Sequence, residues 1–264
     1  MDTDKGIALI TEQIDKGGRN VVFSGAGIST ESGIPDFRSQ GGIWEQYRPV
    51  YFDEFMRSRT ARIEYWRQKS ELYHDLMKAV PNPAHMAVAQ LHETGLVEAV
   101  ITQNIDGLHQ ASGIPDEKVI ELHGSNRRVR CMSCGRISFI EEAHRRIEAG
   151  DLAPECECGG YLKPDTISFG QAMPEKAVER AVQLARDCDF FLVVGSTLLV
   201  YPAAHMPNYA KEAGAFLAII NLSETPCDGI SDVLIRGKAG EVLPKIAKKV
   251  SMKSLDLPSL GRRT

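Results

Sequence analysis

The sequence contains no apolar run approaching the length of a membrane span; its longest, such as Phe190–Val194, suit buried strands. The N-terminus, Met1-Asp2-Thr3-Asp4, lacks the basic stretch and following apolar stretch of a secretory signal. No membrane partner is therefore expected, and a cytoplasmic location is. Nor is charge of one sign in excess: a formal net charge of -4 gives nucleic acid no reason to be a direct partner. The basic residues near the end (Lys248, Lys249, Lys253, Arg262, Arg263) read as a solvated tail. Internal repeats, low-complexity tracts and long flexible linkers are also missing. What remains is an ordinary globular composition, 43% hydrophobic and 25% charged. At 264 residues the chain suffices for one sizeable domain, or for a large domain carrying a small insert.

The cysteines are arranged unlike a disulfide framework, which belongs mainly to small secreted domains. Cys131 and Cys134 form one close pair and Cys156 and Cys158 another, while Cys188 and Cys227 stand alone. Two tight pairs about twenty residues apart are what a tetrahedral four-thiolate zinc site needs. Each pair supplies two sulfurs from one turn, and Ser133, Gly135 and Gly159-Gly160 make those turns easy. A single residue separates the second pair, which is tighter than usual, so four free thiols in a loop is the competing reading. Four protein ligands close a metal to substrate, which makes the expected zinc structural.

Short apolar runs of strand length stop abruptly at small or polar residues. Val21-Val22-Phe23 runs into Ser24-Gly25-Ala26-Gly27, and residues 97–102 run into Gln103-Asn104-Ile105-Asp106. Residues 119–122 run into His123-Gly124, Phe190–Val194 into Gly195-Ser196-Thr197, and Phe216–Ile220 into Asn221. Near-continuous β-branched and aromatic runs suit strands buried on both faces of a parallel sheet. Helical patterns separate several of them. Val178, Ala181, Val182 and Ala185 share one face behind Pro174-Glu175; Asn82-Pro83 opens a helix with Val88 and Leu91 inward and Gly95 at its end. Leu243, Ile246, Ala247 and Val250 stripe a last helix. This alternation predicts a doubly wound α/β fold, in which ligands bind beyond the carboxyl ends of the strands, where the polar clusters fall. Residues 41–80, with Trp44, Phe55, Tyr65, Trp66 and Leu72, read as a helical insert, and residues 127–163 as a zinc module.

Gly25-Ala26-Gly27 after a strand suits a backbone that approaches a diphosphate closely and donates N–H groups to it. Alone it could be a tight structural turn, and the third glycine of the dinucleotide fingerprint is missing at Thr30, which disfavours a dehydrogenase. The run continues through Ile28-Ser29 to Ser32-Gly33-Ile34-Pro35-Asp36-Phe37-Arg38. Taken with Gln103-Asn104-Ile105-Asp106, His123-Gly124, the cysteine pairs, Phe169-Gly170, Gly195-Ser196-Thr197, Asn221 and Lys238-Ala239-Gly240, it closely resembles the sirtuin family. The resemblance runs from about residue 6 to residue 250, in the family's order.

That resemblance implies an NAD-binding Rossmann-like domain from residues 1–40, 81–126 and 164–264, and a small domain from the helical insert and zinc module. It implies a protein-lysine deacylase that consumes NAD as a co-substrate, with acyl-lysine-bearing proteins as partners and one structural Zn2+. Asp106 would orient the nicotinamide amide, Asn104 would hold the ribose and a water, and His123 would be the general base on the ribose hydroxyls, near its natural titration range. The NAD contacts would be Gly25, Ala26, Gly27, Ser29, Asp36, Phe37, Arg38, Gln103, Asn104, Ile105 and Asp106 at one end. Gly195, Ser196, Thr197, Asn221, Leu222, Ser223 and Ala239 would complete them. The peptide would add a strand between segments holding Phe169 and Gly170 and, opposite, Leu198 and Val200. Gln171 departs from the family, where glutamate is common. Tyr65 followed by Gln68, where members that remove acidic acyl groups carry arginine, points to apolar groups such as acetyl. ADP-ribosyl transfer, NAD hydrolysis and a non-catalytic zinc module are the alternatives. Read without the resemblance, His123 could cap a strand, Asn104 and Asp106 could be turn formers, and His85, His109 and His205 look structural.

Overall fold

The computed structural model describes residues 2–36, 42 and 47–256, with side chains to residue 252. Helix α1 (Thr3–Asp15) leads into β1 (Asn20–Ser24); α2 (Phe52–Arg57), α3 (Arg59–Lys78) and α4 (Pro83–Glu93) then precede β2 (Ala99–Thr102). A short α5 (Leu108–Ala111) joins it to β3 (Val119–Glu121). Next come β4 (Gly124–Cys131), β5 (Ile137–Phe139), α6 (Ile140–Glu148) and β6 (Leu162–Thr166). The chain ends with α7 (Glu175–Asp187), β7 (Phe190–Val194), α8 (Met206–Glu212), β8 (Phe216–Ile220), β9 (Val233–Ile235) and α9 (Ala239–Asp256).

Six parallel strands form the large sheet in the order β3-β2-β1-β7-β8-β9. Counted along that sheet the order is 3-2-1-4-5-6, the doubly wound arrangement, with its reversal between β1 and β7. Side-chain alternation explains why the strand sequences are apolar throughout. Val22, Val100, Leu192 and Ala218 pack on one face against Ile7 and Ile10 of α1, Val88 of α4 and Leu243 and Ile246 of α9. Val21, Phe23, Phe191 and Val193 pack on the other against Ala181 and Ala185 of α7 and Ala210 of α8. Each large side chain so buried contributes roughly 1.5–3 kcal/mol.

Local signals place the helices. Asn82 Oδ1 accepts from the Ala84 and His85 amides at 2.9 and 3.4 Å, capping α4 ahead of Pro83. Gly95, at φ 76°, follows its end. The strand expected over residues 97–102 begins only at Ala99, because the Val97 amide still turns back to the Leu91 carbonyl. Lys248 and Lys249 sit on the exposed face of α9, where a solvated tail was expected, because Ile246, Ala247 and Val250 hold that stretch on the core. Arg262 and Arg263 lie outside the described residues.

The cysteine segment forms a second, three-stranded antiparallel sheet, β5-β4-β6. Trp66 of α3, 1% exposed, packs on Val129, Ile140 and Ala143, and its indole N–H donates to the Leu162 carbonyl at 3.1 Å. One aromatic side chain thus fastens the helical stretch to the cysteine-bearing sheet. Among the described residues no helix is long and apolar enough to cross a membrane.

Candidate active site

The loops after β1 and β7 interlock at the reversal of the sheet. The Gly25 amide donates to the Val194 carbonyl at 3.0 Å and the Gly27 amide to the Gly195 carbonyl at 2.8 Å. A Cβ on Gly25 or Gly27 would stand 2.8 Å from that same carbonyl oxygen. On Gly195, at φ 60°, it would stand 2.3 Å from the Ile28 nitrogen. The glycines that read as a close approach to a ligand are therefore also required by the approach of the two loops to each other.

This junction floors a cavity of about 710 Å³ spanning the carboxyl ends of the large sheet. Gly25, Ala26, Gly27, Ser29 and Asp36 line it from the β1 side, and Gln103, Asn104, Ile105, Asp106 and His123 from β2 and β3. Gly195, Ser196, Thr197 and Val200 follow β7; Asn221, Leu222 and Ser223 follow β8, and Ala239 opens α9. Phe169 and Gly170 line the same space. Leu198 does not line it; its side chain is 1% exposed and its backbone is left-handed at φ 54°. Phe37, Arg38 and Trp44 lie outside the described residues.

His123 Nδ1 lies 2.9 Å from the Gln103 carbonyl oxygen. A carbonyl only accepts, so Nδ1 holds the ring proton and Nε2 presents a lone pair. Burial pushes the His123 pKa below 6.5, opposed by the bond to Gln103. The imidazole is neutral at pH 7 and able to take a proton. Asn104 is buried, its Nδ2 donating to the Gly25 carbonyl and to Ser29 Oγ, each at 3.1 Å. Ser29 Oγ donates in turn to Asp106 Oδ2 at 2.8 Å, and Asp106 Oδ1 accepts from the Leu108 amide at 2.9 Å. Both carboxylate oxygens are thus held by short bonds.

Behind this group lie two buried histidines read as structural from the sequence. His85 is within 3.4 Å of Ser29 Oγ, and His109 Nε2 is 2.8 Å from Ser24 Oγ, with the rings 5.1 Å apart. Burial drives His85 down to about 4, against the opposing charge of Asp106, and His109 to about 3, with His85 adding to the shift.

Cys131, Cys134, Cys156 and Cys158 bring their sulfurs within 4.8 Å of one another, with Cys131–Cys158 at 3.6 Å and Cys134–Cys156 at 3.9 Å. A tetrahedral zinc with bonds of about 2.3 Å requires sulfurs about 3.8 Å apart, so this donor set fits the ion. The single-residue spacing of the second pair is accommodated by a turn in which the Gly159 amide donates to the Cys156 carbonyl at 2.8 Å.

Some lining residues carried no sequence signal of their own. Glu31 lines the β8–β9 end, and Lys69 and Thr166 the side nearest the small sheet. Tertiary folding alone turns each of them inward.

The fold and site define a doubly wound nucleotide-binding protein with a cysteine-bearing module beside its cleft. The Sir2 family profile matches residues 25–202, and the chain belongs to that family. It is 48% identical over 243 residues to the NAD-dependent protein deacetylase 1 of Bradyrhizobium diazoefficiens, covering 92% of this chain and 95% of that one. A structure solved for the mechanism and regulation of Sir2 enzymes superposes with a TM-score of 0.84 at 43% identity, covering 95% of this chain and 99% of that one. A Sir2 protein with a p53 peptide and NAD+ gives 0.83 at 34% identity, covering 96% and 100%.

Proposed function

We propose that this chain is an NAD-dependent protein-lysine deacylase, converting acyl-lysine, NAD and water to lysine, nicotinamide and O-acyl-ADP-ribose. One observation carries the reading: His123, neutral and with Nε2 free to accept a proton, shares a cavity with the Gly25–Gly27 junction at the reversal of a doubly wound sheet. The relative named as an NAD-dependent protein deacetylase supports it, as does the Sir2 protein seen with a p53 peptide and NAD+.

The junction and the residues after β7, β8 and β9 hold the dinucleotide. Asp106 and Asn104, fixed through Ser29, hold the nicotinamide end, where positive charge develops at the ribose carbon as its bond to nicotinamide breaks. The acyl oxygen then bonds to that carbon. His123 Nε2 takes the proton of a ribose hydroxyl, which lets the 2′ oxygen reach the acyl carbon. Water then breaks that carbon's bond to the lysine nitrogen, releasing lysine and leaving the acyl group on the ribose. The peptide adds its backbone between the segments of Phe169-Gly170 and of Leu198 and Val200. Phe37 and Arg38 belong with the dinucleotide contacts on the family resemblance. Zinc, held by the four cysteines, staples the small sheet and takes no part in the chemistry. In this reading residues 41–80 and 127–163 together make the small domain, and residues 1–40, 81–126 and 164–264 the NAD-binding domain. It acts on proteins in the cytoplasm without binding nucleic acid directly.

The test is incubation with an acetyl-lysine peptide, with and without NAD, followed by mass spectrometry. NAD-dependent loss of acetyl, with nicotinamide and acetyl-ADP-ribose appearing together, is expected. Nicotinamide release with the peptide untouched would replace the reading with NAD hydrolysis or ADP-ribosyl transfer.

A further inference from the structure

We propose that Glu31 makes this site select NAD over its 2′-phosphorylated form, NADP. The proposal rests on the reading just given for the direction of the dinucleotide. Asp106 and His123 follow β2 and β3, on one side of the glycine junction. A diphosphate over the junction therefore leaves the adenosine on the other side, above β8 and β9.

At that end α9 begins, an 18-residue helix whose N-terminal residue Ala239 lines the cavity, beside Lys238. Free amides at a helix N-terminus, with a lysine alongside, attract a phosphate. Here the place is taken. The Glu31 carboxylate, brought by the loop after β1, accepts from the Gly240 amide at 2.8 Å and itself lines the cavity. Gly240 leaves room for it, since a Cβ there would lie 2.6 Å from the carboxylate oxygen. The neighbouring cation is partly committed: Lys238 Nζ stands 3.8 Å from Glu241. A ribose hydroxyl can donate to a carboxylate. A phosphate, carrying nearly two negative charges and only acceptor oxygens, is repelled by it and denied the amide. Glu31 thus does at the far end of the cleft what an acidic residue near the ribose does in other doubly wound NAD sites. No pattern in the sequence marks Glu31; only the fold brings it to α9, 209 positions along the chain.

The test compares the full-length wild type with Glu31→Gln and Glu31→Ala. NAD and NADP are used separately as co-substrates for deacetylation, and calorimetry measures the binding of each. Circular dichroism verifies folding, and the near-isosteric glutamine keeps the acceptor on Gly240 while removing the charge. The wild type should favour NAD, and either variant should narrow the ratio of kcat/KM by about tenfold or more, mainly through a lower KM and Kd for NADP. An unchanged ratio in both variants, or a wild type that treats the two nucleotides alike, overturns the role of Glu31. A wild type that binds NAD in preference to NADP but deacetylates nothing sinks the enzymatic reading alone, and the binding ratios still decide the proposal.

Discussion

Acid should unfold this protein through the two histidines behind its candidate site. In the unfolded chain each takes a proton near pH 6.5, whereas in the folded protein His85 waits until about 4 and His109 until about 3. Between these limits the unfolded state binds more protons, so stability is full above pH 6.5 and falls as the pH falls. From pH 7 to pH 5 each histidine removes about 2 kcal/mol, together about 4 kcal/mol, out of the 5–15 kcal/mol typical of a folded protein. Carboxylates hardly contribute in this window, because their unfolded-state values lie below it. Substituting His109→Gln preserves a donor toward Ser24 Oγ, 2.8 Å from Nε2 in the parent, and deletes one titration. Urea unfolding followed by circular dichroism at pH 7 and pH 5 should therefore show the variant losing about 2 kcal/mol less than the wild type. Equal losses in the two proteins would refute the reasoning, because the His109 imidazole would then be titrating alike in the folded and unfolded states.

Further perturbations address the junction, the base and the metal. Gly195→Ala puts a methyl 2.3 Å from the Ile28 nitrogen in a left-handed backbone; a loss of about 3 kcal/mol in denaturant unfolding, with weaker NAD binding in calorimetry, is expected. His123→Ala should abolish deacetylation while leaving the circular dichroism spectrum unchanged. In the wild type, the rate should hold as the pH drops through 6.5 and fall only below it, since burial lowers the pKa of this base; a rate already halved at pH 6.5 would contradict that assignment. Metal analysis should find one zinc per chain, and Cys131→Ser should lose it and lower Tm, with Trp66 fluorescence reporting the loosened small sheet. Full zinc retention in that variant would exclude Cys131 as a ligand.

Much of the architecture was legible because local pattern and tertiary demand coincide. Strands covered by helices on both faces must be apolar at every position, so Phe190–Val194 and Phe216–Ile220 announce themselves, and Asn82-Pro83 starts α4 by its own hydrogen bonding. The doubly wound fold then dictates that the polar residues after each strand meet, which brings Gly25, Asn104, His123, Gly195 and Asn221 to one cavity. The paired cysteines were legible for a similar reason, since four sulfurs converging on one ion constrain spacing within the chain itself.

Other features were not, because no local rule encodes them. The three-residue β9 is too short for its pattern to be read, and it exists because β8 offers an edge to pair with. The antiparallel sheet around the cysteines depends on Arg130 opposing Lys163, far apart along the chain. The protonation of His123 is set by the Gln103 carbonyl and that of His85 and His109 by burial; neither is a property of histidine alone. Sequence by itself determined which residue types stand at the ends of which strands, because periodicity and turn chemistry act between neighbours. Only the tertiary structure decided which of them touch, which proton each carries and which helix end Glu31 occupies, because those depend on contacts and dielectric that arise when distant segments pack.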